Sequence, residues 1–193
     1  MKYEAMNAKP CKDLQKLIES KEYIAEIKLD GYRAICEYGR FYSRLGNELT
    51  DKVPHLQLPV NMVLDGELLF GNNSSDVTTV LGSKTDRALK LQEKEKVCFV
   101  IFDILELDGK NLTCLSWRQR REVINALCRD MIFCVPDVQI SATWSAIDFV
   151  IDFVDKNNLK GVMLKNINAE YYPGKRPENT WYWYEFLEDG TMI

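Results

Sequence analysis

The sequence predicts a protein of mixed α and β structure, with strands toward both ends of the chain and helices between them. Short runs rich in β-branched and aromatic residues recur near both ends, and apolar residues follow helical spacing in between. No repeat, low-complexity tract or linker interrupts the 193 residues. A chain of this length can bury a sizeable core, and one compact domain is the simplest arrangement.

Seven strands are predicted from short apolar runs bounded by turn residues. They cover residues 23–28, 32–38, 41–44, 62–70, 96–105, 161–166 and 180–186. Asp30-Gly31 lies between the first two runs and is predicted to form the turn of a β-hairpin. Lys28 would then sit at the end of a strand, where the backbone holds it rigidly.

Three helices are predicted from capping residues and helical spacing. Leu14, Leu17 and Ile18 give a short helix before the first strand an apolar face. Ser116-x-x-Gln119 predicts a capping box that opens a helix ending near Cys128. Ser145-x-x-Asp148 predicts a second box, which opens a helix whose apolar residues repeat at i, i+3, i+4 and i+7: Ile147, Val150, Ile151 and Val154.

Composition indicates an intracellular, cytoplasmic protein that does not enter membranes. No apolar run approaches the roughly 20 residues needed to cross a bilayer, and the N-terminus has no signal-peptide core. The single histidine, His55, is assigned a structural or surface role. The six cysteines are Cys11, Cys36, Cys98, Cys114, Cys128 and Cys134. They show no C-x-x-C spacing, which disfavours a zinc site. Several of them lie in apolar stretches, as reduced cysteines of a protein core do.

The segment Lys28-Leu29-Asp30-Gly31-Tyr32-Arg33 places one lysine close to an acid, a glycine and an arginine. A lysine amine becomes nucleophilic when it is desolvated or set near other cations or a metal. The segment therefore suits a covalent phosphoryl-transfer nucleophile. A solvated lysine beside an ordinary hairpin is the alternative that this segment alone leaves open.

Six segments, taken in order from about Glu22 to Tyr184, resemble the nucleotidyltransferase (adenylation) domain of ATP-dependent DNA ligases. They are residues 26–33, 43–46, 64–68, 99–105, 161–165 and 172–176. Residues 102–112, followed by Arg118 to Arg121, resemble DNA ligases more closely than RNA ligases or capping enzymes. Because the segments occur in the same order as in the family, a functional role for the residues within them is favoured over a purely structural one.

This resemblance implies an α+β fold in which two antiparallel β-sheets, flanked by helices, enclose a nucleotide cleft, as in ATP-grasp-like nucleotidyltransferase domains. It also implies that residues 1–193 form a single adenylation domain without the C-terminal oligonucleotide-binding (OB-fold) barrel of such ligases. The absence of that barrel would make nick sealing by this chain alone feeble. A monomer is expected.

The resemblance assigns catalytic roles to Lys28, Asp30 and Arg33. Lys28 would attack the α-phosphate of ATP, expel pyrophosphate and carry AMP as a phosphoramidate. AMP would then pass to a 5′-phosphate at a nick in duplex DNA, where the 3′-hydroxyl displaces it. Each step concentrates negative charge on phosphorus, so cations must be fixed in advance around the lysine. The expected cofactors are ATP and Mg²⁺ or Mn²⁺.

Eight residues are expected to bind the nucleotide: Glu26, Ile27, Lys28, Arg33, Arg44, Glu67, Phe102 and Lys165. The resemblance implies that Glu26 reads the adenine amino group and that Phe102 stacks on adenine. Arg33 and Arg44 would contact sugar or phosphates. Glu67 and Asp30 would hold the metal, Glu67 alternatively binding the ribose and Asp30 orienting the lysine. Each residue also has a simpler interpretation, such as a core position for Phe102 or a solvent-facing one for Glu67.

The chain departs from the family pattern at three positions. Lys160 stands where the family has an acid that helps hold metal, and Trp183 and Glu185 stand where it has two phosphate-contacting lysines. Losing one preorganised charge typically costs about 3 kcal/mol of transition-state stabilisation. Lys160 and Glu185 could be a charge-swapped pair, with Lys160 reaching the α-phosphate from the opposite wall. Drift in a retired site, or a shifted register of the last strand, is the competing explanation.

The net charge of −4 supports nucleotide chemistry more firmly than stable binding of DNA, because phosphate contacts normally require a basic face. Local basic clusters occur at Arg118-Arg120-Arg121 and Lys175-Arg176. The predicted function is the catalytic domain of an ATP-dependent DNA ligase, with ATP and weakly bound nicked duplex DNA as partners. A catalytically degenerate adenine-nucleotide-binding module and an RNA ligase or capping-type enzyme are the alternatives.

Overall fold

The computed structural model describes residues 1–130 and 135–185. Ten strands run through these residues: β1 (Lys9–Pro10), β2 (Tyr23–Ile27), β3 (Tyr32–Glu37), β4 (Arg40–Ser43), β5 (Met62–Leu69), β6 (Cys98–Leu107), β7 (Lys110–Asn111), β8 (Val138–Ile140), β9 (Gly161–Asn166) and β10 (Trp181–Glu185). The seven predicted strands correspond to β2 through β6, β9 and β10; residue 186 lies outside the described residues.

The strands form two sheets. The first has the order β1-β10-β9-β2, and the second has the order β4-β3-β5-β6-β7, with β8 beside β6. Pairing is antiparallel except where β1 meets β10 and β8 meets β6, two parallel edge contacts made by strands that the sequence did not predict. The mixed α+β fold with two sheets is confirmed.

Five α-helices pack around the sheets: α1 (Leu14–Ser20), α2 (Ser74–Leu81), α3 (Thr85–Leu91), α4 (Trp117–Arg129) and α5 (Ile147–Lys156). The predicted capping box of α4 is confirmed, because Ser116 accepts from the Gln119 backbone and Gln119 reaches back. The box predicted for α5 is wrong: Ala146 occupies the N-cap and makes no side-chain cap bond. The helix α5 forms without a capping box because burial of its apolar face supplies most of its stability. The helices α2 and α3 were not predicted.

The predicted hairpin at Asp30-Gly31 is wrong. β2 pairs with β9 in the first sheet, whereas β3 pairs with β4 and β5 in the second, so residues 28–31 cross between sheets. Gly31 is needed for close approach rather than for a turn. A Cβ atom there would lie 2.5 Å from the carbonyl oxygen of Leu68 and 2.7 Å from Cγ of Glu67. This crossing places Lys28 at the junction of the two sheets.

Three hydrophobic clusters hold these layers together. One lies between the second sheet and the helices α2, α3 and α4, and another lies between the first sheet and α5. The third fills the space between the sheets and contains Ile35, Phe102, Leu105, Tyr171 and Trp181. No helix within residues 1–130 and 135–185 is long and apolar enough to cross a membrane.

Candidate active site

A cavity of about 260 Å³ opens between the two sheets. All eight residues predicted to bind a nucleotide line this cavity: Glu26, Ile27, Lys28, Arg33, Arg44, Glu67, Phe102 and Lys165. They come from five strands, β2, β3, β5, β6 and β9, and from the segments that follow β2 and β4. Asp30, Lys160 and Glu185 line a second, larger cavity of about 860 Å³. Lys28 borders both cavities and therefore stands where they meet.

A buried ion pair lies in the wall of the nucleotide cavity. Lys165 Nζ donates to Glu26 Oε2 at 2.8 Å, and both side chains are almost fully buried. Burial lowers the pKa of Lys165, against the opposing effect of Glu26. The other carboxylate oxygen, Glu26 Oε1, is buried and has no hydrogen-bond partner among the described residues. A buried acceptor in this state is costly unless a ligand or water satisfies it.

Two aromatic rings form the adjoining wall. Phe102 and Trp181 meet almost at right angles, with ring centroids 6.1 Å apart. Lys165 Nζ lies 4.5 Å from the Phe102 centroid and 4.4 Å from the Trp181 centroid, within the range of cation–π attraction. Phe102 is therefore both a core residue and a wall of the cavity. The Trp181 indole Nε1–H is buried and, among the described residues, lacks a partner, like Glu26 Oε1.

The Arg33 guanidinium is fixed within the cavity wall. It donates to both carboxylate oxygens of Asp65, at 2.8 and 2.5 Å, and to the carbonyl oxygen of Met6 at 3.1 Å. The Tyr171 hydroxyl also donates to Asp65, at 2.6 Å. Burial disfavours the charged guanidinium, but Asp65 raises the pKa of Arg33 above its usual value. A bidentate pair of this kind holds the cation in one geometry.

Glu67 faces the cleft opposite Arg33 in the register of β3 and β5. Burial raises the pKa of Glu67 to about 7, although the positive charges of Arg33 and Lys28 oppose the shift. Glu67 is half-buried and lines the cleft. Its side chain lies close to Gly31 of the crossing segment, which covers part of it.

Two of the three departures from the family pattern, Lys160 and Glu185, contact the predicted catalytic residues. Glu185 Oε1 lies 2.6 Å from Lys28 Nζ, and Lys160 Nζ donates to Asp30 Oδ1 at 2.6 Å. Burial would raise the pKa of Asp30, but hydrogen bonds from Lys160 and Ser74 lower it. Lys160 thus pairs with Asp30 and Glu185 pairs with Lys28, and no direct ion pair joins Lys160 to Glu185 among the described residues.

Several cleft residues were missed by sequence reasoning. Asn7 and Ala8 line the cavity because β1 pairs with the last strand, and nothing local in the sequence signals that contact. Met163, Arg176 and Trp181 also line it. These three residues lie within or beside the segments that resemble the ligase motifs, so their position in the sequence could have predicted that they line the cavity.

No three His, Cys, Asp or Glu side chains are grouped to hold a metal ion in the part of the chain that the structure describes. A magnesium ion that arrives with a nucleotide needs only one or two carboxylates, because the phosphates supply other ligands. Glu67 is a carboxylate in the nucleotide cavity that fits this requirement. Asp30 is already engaged by Lys160.

An α+β domain with a cavity between two sheets, a lysine in its lining and a buried carboxylate in its wall has the features of a nucleotide-binding domain. The family model described as "ATP dependent DNA ligase domain" matches residues 5–184. The chain belongs to this family.

Curated relatives agree with this membership. The chain is 26% identical over 170 residues to the SPbeta prophage-derived DNA ligase-like protein LigB of Bacillus subtilis, which covers 82% of this chain and 60% of LigB. It is 30% identical over 168 residues to the multifunctional non-homologous end joining protein LigD of Mycolicibacterium smegmatis, over 82% of this chain and 21% of LigD. The chain thus spans less than two thirds of the length of either relative.

The fold is shared with solved ligase domains. The ligase domain of M. tuberculosis LigD superimposes with a TM-score of 0.69 at 22% identity, covering 95% of this chain and 59% of that one. The ATP complex of the bacteriophage T7 ATP-dependent DNA ligase gives a TM-score of 0.65 at 18% identity, covering 100% of this chain and 80% of that one.

Proposed function

We propose that this chain is the catalytic adenylation domain of an ATP-dependent DNA ligase. One observation carries the proposal: a single cavity gathers all eight residues expected to bind the nucleotide, with Lys28 at its mouth. The family match supports a DNA ligase over an RNA ligase or capping enzyme.

The wall of the cavity favours adenine as the base. Glu26 Oε1 is a buried acceptor that needs a donor, and Lys165 fixes the other oxygen of the same carboxylate. The exocyclic amino group of adenine supplies such a donor, whereas guanine presents a carbonyl at that position. A site built to bind one hydrogen-bonding group rejects an analogue that lacks it.

The chemistry begins at Lys28. Its neutral amine attacks the α-phosphorus of ATP, so that an N–P bond forms and the P–O bond to pyrophosphate breaks. A 5′-phosphate oxygen of the nicked strand then attacks the same phosphorus and releases the lysine. The 3′-hydroxyl finally attacks the activated 5′-phosphate and releases AMP. Arg44 and Arg176 line the cavity and are the exposed cations available to the phosphates.

Mg²⁺ or Mn²⁺ is part of this proposal. Glu67 would hold the ion together with the phosphates of ATP, and the ion would neutralise charge that develops on them. A monomeric state, an intracellular location and a single domain over residues 1–193 also remain predictions.

A catalytically degenerate adenine-nucleotide-binding module is the second candidate. The observation that favours it is the carboxylate of Glu185, which lies beside the proposed nucleophile where a cation would assist phosphoryl transfer. Such a module would keep the adenine pocket and form no covalent AMP.

The test is the intact mass of the protein before and after incubation with ATP and Mg²⁺. We expect a gain of one AMP in the wild type and in the control Lys90→Ala, a surface lysine of α3, and none in Lys28→Ala. GTP should give no adduct. Binding of ATP without any adduct would exclude the enzyme and establish the binding module.

A further inference from the structure

A basic surface lies directly beside the nucleotide cleft. Four cationic side chains from β1, the β1–α1 connection, α1 and the β9–β10 connection line a cavity of about 460 Å³: Lys9, Lys12, Lys16 and Arg176. We call these four residues the Lys9–Arg176 surface. Asp13 and Glu178 are the two acidic residues in the same lining, so the local excess is positive.

This excess runs against the composition of the chain, which carries 29 acidic and 25 basic residues. Lys12, Lys16 and Arg176 are exposed and form no ion pair within the described residues. Lys9 pairs with Glu178, and Asp13 is occupied in capping α1 through the backbone amide of Lys16. Three cations on this surface are therefore free to meet an external anion.

The other basic cluster of the sequence is not available in the same way. Arg120 is fully buried and pairs with Asp103, at 2.7 Å from Nε to Oδ1. Arg121 is half-buried and donates to the hydroxyl and the backbone carbonyl of Ser141. Of that cluster, Arg118 alone is exposed.

The Lys9–Arg176 surface is continuous with the cleft. Arg176 lines both this surface and the nucleotide cavity. In the pairing of β1 with β10, Lys9 lies opposite Tyr182 and Pro10 lies opposite Trp183, and Trp183 is itself a cavity residue. A polyanion bound here would reach the mouth of the cleft.

We propose that the Lys9–Arg176 surface holds the phosphodiester backbone of the acceptor duplex beside the nucleotide cleft. This inference rests on the proposed function, because a ligase must bring a 5′-phosphate next to the AMP on Lys28. Exposed lysines are suited to this role because they neutralise phosphates as point charges and carry no sequence information.

The test measures binding of a fluorescent, 5′-phosphorylated nicked duplex by anisotropy, from about 20 to 200 mM NaCl. The variant is Lys12→Gln/Lys16→Gln, which removes two charges outside the nucleotide cavity. The matched control is Lys90→Gln/Lys94→Gln, which removes two exposed lysines from the region of α3. Each lost phosphate contact reduces the slope of log K against log salt by about 1.

We expect the first variant to lower the slope by about 2 and to weaken binding at low salt at least several-fold, while the control leaves both nearly unchanged. Unaltered binding in the first variant, equal losses in both variants, or no binding by the wild type at 20 mM salt would overturn the inference. Formation of the AMP adduct is measured on the same proteins. If the wild type forms no AMP adduct but its DNA binding still depends on Lys12 and Lys16, the proposed enzymatic function is wrong and the proposed DNA-binding surface is supported.

Discussion

Lys28 meets a carboxylate, and Asp30 meets an ammonium, on the side of the crossing segment that faces the second cavity. The four side chains form two ion pairs in the lining of that cavity, Lys160 with Asp30 and Lys28 with Glu185. Glu185 is paired with Gly161 in the β9–β10 register, so Lys160, which directly precedes β9, lies near the end of β10. A coupled exchange of the two charges is therefore sterically reasonable and testable.

Exchanging the two charges should reveal that coupling. Lys160→Glu places a second carboxylate beside Asp30, and Glu185→Lys places a second ammonium beside Lys28. We expect each single change to slow AMP transfer by about tenfold or more, and the double change to recover most of the loss. Stopped-flow or quenched formation of the adduct measures these rates.

The matched control is Lys156→Glu with Glu170→Lys, two exposed positions away from the cleft lining. The control changes should have little effect. Rate losses that simply multiply in the Lys160→Glu/Glu185→Lys double variant would contradict a charge-swapped pair and favour independent drift.

Trp181 offers a donor that is unpaired among the described residues, in the wall of the cavity. Trp181→Phe keeps an aromatic ring and removes the indole N–H. If the N–H donates to a ring nitrogen of adenine, affinity for ATP should fall about 3- to 10-fold, the value of one hydrogen bond. Isothermal titration of wild type and variant with ATP gives this ratio.

Deaza analogues of ATP test the same bond from the ligand side. One of the 1-, 3- or 7-deaza compounds should bind the wild type more weakly than ATP does and bind Trp181→Phe about equally. Trp117→Phe, a buried tryptophan outside the cleft, is the control. A uniform response of all analogues in both proteins would mean that Trp181 only packs.

At the scale of elements, the N-terminal segment is tied to the second sheet through two carboxylates, those of Glu37 and Glu106. Glu106 accepts hydrogen bonds from Lys2 at 2.7 Å, Tyr3 at 2.8 Å and Tyr38 at 2.5 Å. The hydrogen bond from Lys2 is the largest of the effects that lower the pKa of Glu106 to about 2. The same segment leads to β1 and to the cavity residues Asn7 and Ala8.

The low pKa of Glu106 predicts a pH-dependent contribution to stability. The folded value of about 2 lies below the ordinary value of 4.5, so the contribution is present above about pH 4.5 and disappears as the pH falls toward 2. Glu106→Gln should therefore lower Tm by roughly 3–6 °C at pH 7 and by less at pH 3. Calorimetry at both pH values measures this, with exposed Glu93→Gln as control. An equal loss at both pH values would show that the charge is not involved.

For the whole molecule, the nucleotide cavity joins the two sheets, so a ligand bound there should stabilise the entire fold. ATP at about 100 times its Kd adds about 2.7 kcal/mol to the free energy of unfolding. For a chain of this size, Tm should rise by roughly 5–10 °C. GTP at the same concentration should give a much smaller shift, and equal shifts would contradict adenine selection through Glu26.

The sequence by itself determined most of the secondary structure and eight of the fifteen residues that line the nucleotide cavity. Alternating and apolar runs located β2 through β6, β9 and β10, because those patterns are local and each strand buries at least one face. The order of the ligase-like segments selected eight residues that do line one cavity. Ser116 and Gln119 predicted their helix start because a capping box is complete within four residues.

The tertiary structure alone decided how those pieces are joined and paired. Asp30-Gly31 is a turn signal in sequence, yet strand pairing assigns its two flanks to different sheets. Arg33, Lys28 and Asp30 find their partners in Asp65, Glu185 and Lys160, all of them at least 32 residues away along the chain. Local propensity contains no information about such long-range contacts, which exist only once the sheets have packed around a shared core.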